Sequence, residues 1–230
     1  MADADPPRDC PRCPRLVEFR HEARLRHPGW HNAPVPSFGA ASSRVIVLGL
    51  APGLQGANRT GRPFTGDWAG DLLYATLDRF GFSAGHYDER PDDGLRLLDC
   101  TVTNAVRCVP PANKPTPAEM ATCRSFLVET LASRPHLRVV VALGRIAHES
   151  AVRAAGLRLA AVKFAHGAEH DCGPFRLFDS YHCSRYNTNT GVLTTAMFEA
   201  VFARVRDFLD AAAPGSPGQP GNGLHARDTA

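Results

Sequence analysis

A chain of 230 residues, 43% hydrophobic and 21% charged, is large enough for one globular domain with a full core and has the make-up of one. Its formal net charge of +3, with histidines neutral, permits nucleic-acid binding without requiring it. No apolar run approaches the roughly 20 residues of a membrane span, and MADADPPRDC lacks the basic and apolar regions of a signal peptide, so a cytoplasmic protein without membrane association is expected.

In chain order, residues 1–9 read as disordered. Cys10 and Cys13 form a C-x-x-C pair, and Pro14 suits the first turn of a short amphipathic helix running to about Arg26. The prolines of 27–43 mark a connecting loop. Residues 44–49 hold the run Val45-Ile46-Val47-Leu48, a buried strand. A glycine-rich loop follows, then a helix from about Asp67 or Gly70 to Phe80, and a Gly/Asp/Pro-rich excursion over 81–94. Residues 95–103 read as a second strand ending at Asn104. After a long loop, Thr116 and Glu119 have capping-box spacing, with Pro117 opening a helix to about 133. A third strand spans 138–143, and Gly144 opens a helix to about 155 that stops at Gly156. The fourth strand is 175–181, with 161–164 a candidate short neighbour. A last helix covers about 191–212, and the Gly/Pro/Ser-rich residues 213–230 read as a disordered tail.

Strands alternating with helices argue an α/β domain over 10–212. The expected architecture is a three-layer α/β/α sandwich on a central, mostly parallel four-stranded sheet. Such sheets bind ligands beyond the carboxyl ends of their strands. The loop after the first strand spans roughly 18 residues, longer than an ordinary βα connection. Its G-x-x-x-G-x-x-G spacing matches neither the dinucleotide fingerprint nor the P-loop. It carries Phe64, Asp67, Arg59 and Arg62, an inventory suited to a flat polar ring on a phosphate backbone. The loops after strands one, two and four open on one edge, where Phe64, Asp67, Asn104 and His182 can meet.

Seven cysteines in a reducing compartment point to metal binding, packing or catalysis rather than disulfides. Cys10, Cys13, Cys108 and Cys123 as thiolates suit tetrahedral zinc or a cubane cluster equally, and the last two could also be buried thiols.

Together these segments resemble the uracil-DNA glycosylase superfamily, in its iron–sulfur branch and specifically the type-b, or family 5, enzymes. The carrying residues are Gly49-Leu-Ala-Pro-Gly53, Gly56-Ala-Asn-Arg-Thr-Gly-Arg-Pro-Phe-Thr-Gly-Asp67, Asn104, the four cysteines, and His182-x-Ser184-Arg185-x-Asn187-Thr188. Two positions depart from relatives. Cys183 stands where the second motif usually has proline. Leu50 stands where type-a enzymes carry glutamate, as in type b.

The resemblance implies a monofunctional glycosylase that flips a damaged base out of DNA and hydrolyses its N-glycosidic bond. It implies uracil as substrate, with hypoxanthine and other altered bases within the breadth of type-b relatives. It also implies a [4Fe-4S] cluster, in preference to zinc, on Cys10, Cys13, Cys108 and Cys123, and a monomer. Gly49, Ala51, Phe64 and Asn104 fall at substrate-binding positions. Phe64 stacks on the base, against the alternative of a core aromatic. Asn104 presents an amide to O4 and N3–H of uracil, against that of a strand-end turn former. His182 is a donor to uracil O2, and Asp67 serves water or the cationic sugar, a role compatible with capping the following helix. Ser184, Arg185, Tyr186 and Asn187 are expected on DNA, with Arg59, Arg62, Arg107 and Lys114 as supporting charges. Two other classes stay open: a damaged-DNA binding module with little turnover, and a redox or structural metalloprotein.

Overall fold

The computed structural model describes residues 4–211, and the expected tail over 213–230 lies outside them. Among the described residues, eight strands and seven α-helices follow one another. The strands are β1 (Phe38–Gly39), β2 (Val45–Gly49), β3 (Ser83–Ala84), β4 (Arg96–Leu97), β5 (Cys100–Asn104), β6 (Val139–Leu143), β7 (Glu169–Asp171) and β8 (Arg176–Ser180). The helices are α1 (Pro14–Arg26), α2 (Ala57–Thr60), α3 (Trp68–Arg79), α4 (Pro117–Ala132), α5 (Arg145–Ala154), α6 (Arg185–Asn189) and α7 (Thr195–Ala211).

The central sheet runs β1-β5-β2-β6-β8-β7. Its inner strands β5, β2, β6 and β8 are parallel, and β1 and β7 pair antiparallel at the edges. The expected four strands are therefore the parallel centre of a six-stranded sheet. Every residue of β2, β5 and β6 is buried, as strands covered on both faces require. Val45, Val47, Val102, Val139, Val141 and Phe178 face α3 and α7 on one side. On the other, Ile46, Leu48, Val140, Ala142 and Leu177 face α4 and α5. The three layers are as expected, and no described helix is long and apolar enough to cross a membrane.

Four local readings are corrected. Residues 95–103 are not one strand: Asp99 turns the chain at φ +54 between β4 and β5, and its carboxylate pairs with Arg44 at 2.6 Å. The neighbour of β8 is β7, because Leu159–Ala161 form a 3₁₀ turn instead of a strand. Gly191 at φ +72 separates α6 from α7, so the last helix begins at Thr195. Residues 4–9, read as disordered, are placed by Asp5, whose Oδ1 accepts from the buried Arg107 at 2.6 Å and from Ser37 at 3.0 Å.

Candidate active site

The site grows from the carboxyl ends of β2, β5 and β8. The next strand in sequence after β2, apart from the small β3–β4 hairpin, is β5 on one side, and β6 lies on the other. Beside β2 the winding reverses, and crevices open at such points. A cavity of about 410 Å³ lies there, lined by Ala51, Phe64, Asp67, Asn104, His182, Ser184 and Arg185 among others. Gly49, the last residue of β2, lies behind two of the lining side chains, Asn104 and Phe64. A Cβ at Gly49 would lie 2.5 Å from Asn104 Oδ1 and 2.5 Å from Phe64 Cζ, so only glycine lets the two side chains close together.

Asn104 is buried, and its Oδ1 has no hydrogen-bond partner. An unpartnered buried amide oxygen is costly unless a ligand satisfies it. Phe64 is also buried but sits in the cavity wall at φ +52, a strained backbone for a bulky residue. Its carbonyl accepts from Tyr87 Oη at 3.2 Å, and that hydroxyl accepts from Gly66 N at 3.4 Å. Loop 61–66 is further latched by Arg62, whose guanidinium grips the Asp93 carboxylate at 2.6 and 2.8 Å within a cage of Phe38, Tyr74 and Tyr87.

The Phe64 ring stacks on the His182 imidazole, with centroids 5.9 Å apart and planes at 26°. Among the described residues the His182 ring nitrogens have no hydrogen-bond partner. Burial pushes this imidazole down to about 4, so it is neutral near pH 7. Its backbone is pinned by Asn187, whose amide donates to His182 O at 2.8 Å, while Ser184 caps α6 by accepting from Asn187 N at 3.4 Å. Cys183 is fully buried and its thiol donates to Ala69 O at 3.5 Å, tying the His182 loop to α3.

Asp67 caps α3, accepting from Gly70 N at 3.3 Å. Its second oxygen faces the glycine loop, 2.6 Å from where a Gly56 Cβ would stand. Burial raises the carboxyl above the usual aspartate range, against the backbone bonds that lower it.

Of the residues expected on DNA, Arg185 and Tyr186 are exposed beside the cavity mouth, whereas Ser184 and Asn187 are engaged in holding the His182 loop. Arg59 and Lys114 are exposed. Arg62 and Arg107 are not supporting surface charges: both are buried in ion pairs, with Asp93 and Asp5. Sequence reasoning missed Trp68 and Asn113. Trp68, half exposed at the mouth, donates from Nε1 to Thr188 Oγ1 at 3.0 Å and lies under Arg185. Asn113 reaches the cavity because Ala112 and Asn113 both adopt positive φ, which no residue pattern announces.

Cys10, Cys13, Cys108 and Cys123 converge where α1 meets α4 and the loop after β5, around a closed apolar cavity of about 20 Å³. Burial pushes the Cys108 thiol up to about 12 and raises Cys13 and Cys123, so free thiolates are disfavoured. Arg107 N donates to Cys123 Sγ at 3.4 Å and Arg20 Nη1 to Cys108 Sγ at 3.8 Å, the donors a sulfur-ligated cluster uses. Among the described residues, no three of these sulfurs fall in a group of ligand atoms all within 4.8 Å of one another. Sulfurs about 2.3 Å from a single zinc would be closer. The donor set fits a multi-iron cluster.

The family model described as the Uracil DNA glycosylase superfamily matches residues 36–206. A type-5 uracil-DNA glycosylase of Thermus thermophilus is 46% identical over 204 residues, covering 86% of this chain and 92% of that protein. A type-5 uracil-DNA glycosylase of Mycobacterium tuberculosis is 42% identical over 207 residues, 86% of this chain and 77% of that one. A type-4 uracil-DNA glycosylase of Archaeoglobus fulgidus is 37% identical over 115 residues, 49% of each chain.

Proposed function

Because the chain belongs to the uracil DNA glycosylase superfamily, we propose a reaction for its cavity: a uracil flipped out of DNA enters it and loses its N-glycosidic bond by hydrolysis. The protein is a DNA glycosylase, a hydrolase of DNA repair. The observation that carries the site assignment is the orphaned Asn104 Oδ1 beside the Phe64 face and the neutral His182 ring.

Uracil lies on the Phe64 ring; stacking of this kind is worth about 1–3 kcal/mol. Asn104 Oδ1 accepts from N3–H while its amide NH2 donates to O4. The C1′–N1 bond breaks with its electron pair leaving on uracil, and the neutral His182 donates a hydrogen bond to O2, where that charge gathers. The sugar becomes cationic. Asp67, raised in basicity by burial, stabilises it and takes the proton of the water that adds at C1′. Uracil departs as its N1 anion and regains a proton from solvent, to which Asp67 returns the one it took, so the products are free uracil and an abasic site. The volume of the cavity leaves room for a purine, so hypoxanthine is proposed as a further substrate.

Cys10, Cys13, Cys108 and Cys123 are assigned to a [4Fe-4S] cluster, supported by their convergence and sulfur-directed donors. When bound it supplies cross-linking, not chemistry: it ties α1 to α4 and to the loop that follows Asn104.

A labelled duplex with a single uracil, incubated with the protein and then cleaved with alkali, tests the reading. Strand cleavage at uracil is expected, with a parallel hypoxanthine lane setting the breadth. An intact strand retained as a gel shift would replace the enzyme with a damaged-DNA binding module.

A further inference from the structure

On the α5 face of the sheet, away from both the base cavity and the cysteines, three ligand-bearing side chains from separate elements meet. His148 projects from the buried face of α5, Asp179 is fully buried on β8, and His170 sits on edge strand β7 with its side chain partly open to solvent. We propose that His148, His170 and Asp179 are the protein ligands of a divalent transition-metal site, suited to zinc, that clamps α5, β7 and β8 together.

His148 Nδ1 lies 2.8 Å from Asp179 Oδ1, and His170 Nε2 lies 3.2 Å from Asp179 Oδ2. All three ligand atoms fall within 4.8 Å of one another. Nitrogen and oxygen ligands 2.0–2.2 Å from a tetrahedral zinc stand roughly 3.4 Å apart, so small side-chain movements admit the ion. The surroundings already supply the outer contact that metal-bound histidines favour. His148 Nε2 is 3.0 Å from the Val162 carbonyl, which fixes a proton on Nε2 and turns the Nδ1 lone pair toward the carboxylate. Two acceptors would then face each other, and a cation between them removes the conflict. Among the described residues, Asp179 has no Lys or Arg in ion pair with it; its side-chain partners are the two histidines. The Phe164 ring stands edge-on to His148, keeping that side apolar. The partly exposed side chain of His170 offers an entry path from solvent.

The site matters through its place in the chain. Asp179 precedes His182 by three residues, so the clamp stiffens the strand that delivers the imidazole. A competing arrangement needs no metal: a doubly protonated His148 in a plain ion pair with Asp179.

The test uses the full chain with its iron–sulfur cysteines loaded. After mild chelation the protein is titrated with zinc, and bound zinc and iron are counted per chain alongside thermal unfolding. One zinc equivalent and a raised unfolding temperature are expected. His170→Gln, at an edge position that tolerates change, should lose the zinc equivalent and the temperature shift while keeping its iron; Asp179→Asn should do the same. Cobalt in place of zinc should give weak visible bands without sulfur charge transfer, which separates the site from the cysteines. No retained zinc, zinc held equally by His170→Gln, or cobalt bands dominated by sulfur would overturn the proposal in favour of the ion pair.

Discussion

A methyl group at Gly49 would press on the amide of Asn104 and the ring of Phe64 at once. Gly49→Ala is therefore expected to fold but to lose most uracil cleavage, with the loss appearing chiefly in KM because the base can no longer seat. The groups that do chemistry should show the opposite balance. His182→Ala removes the donor at O2, and oxyanion-type donors are worth about a hundred- to a thousand-fold in kcat. Burial acts in opposite directions on the two titrating groups of the site. His182 has its folded pKa lowered to about 4 from 6.5, so it stays neutral through the whole physiological range. Over the window from 6.5 down to about 4 the unfolded chain takes up a proton that the folded site refuses, and this group disfavours folding there. The acid limb that Asp67 contributes to kcat/KM, at a pKa above the ordinary 3.8, should vanish from the residual activity of Asp67→Asn. An acid limb in that variant matching wild type would remove Asp67 from its role.

The excursion between α3 and β5, which reads as mere punctuation in the sequence, is the brace of the catalytic loop. Its Asp93 holds the buried Arg62, and its Tyr87 holds the strained Phe64. Deleting one member of a buried pair strands the other, at a cost of about 3–5 kcal/mol. Asp93→Ala should lower the melting temperature by that equivalent and slacken loop 61–66, whereas a surface pair such as Arg26–Glu22 should be worth under about 1 kcal/mol. Arg62 also depresses the Asp93 carboxyl below its ordinary 3.8, so the pair stabilises the fold above that pH. Its contribution disappears as acid carries the solution down through the depressed value. The elements legible in the sequence were those with a strong pattern: the β-branched runs of β2 and β6 and the capping box of α4, which forms with both of its hydrogen bonds. Edge strands β1 and β7 were not legible, because two or three residues carry no period. The break at Asp99 was hidden for a different reason. An aspartate at positive φ inside an apolar run is chosen by its partner Arg44, more than fifty positions away. In the site, motif residues could be read, but Trp68 at the start of α3 and Asn113 in the loop after β5 reach the cavity only through the placement of those segments by the fold.

At the scale of the whole molecule, two regions of the chain far apart in sequence are joined at the four cysteines. Cys10 and Cys13 immediately precede α1, and Cys108 and Cys123 belong to the loop after β5 and to α4. With the cluster we propose at these cysteines, Cys13→Ser should cost iron and visible absorbance and make the segment through α1 the earliest to exchange amide hydrogens, while the sheet keeps its protection. Protection lost evenly across the sheet would show that the cysteines support the entire fold rather than one joint. The same arrangement has a meaning in time. Leu16 of α1 packs against Val106, Cys123 and Phe126, so the helix made first must wait for partners made about a hundred residues later. At about 5–20 residues per second that interval is roughly 5–20 s. A ribosome carrying this chain thus holds a short, arginine-rich helix with nothing to lie on until α4 has emerged, and the binding pocket's opposite wall is assembled last of all, when β8 and the His182 loop follow.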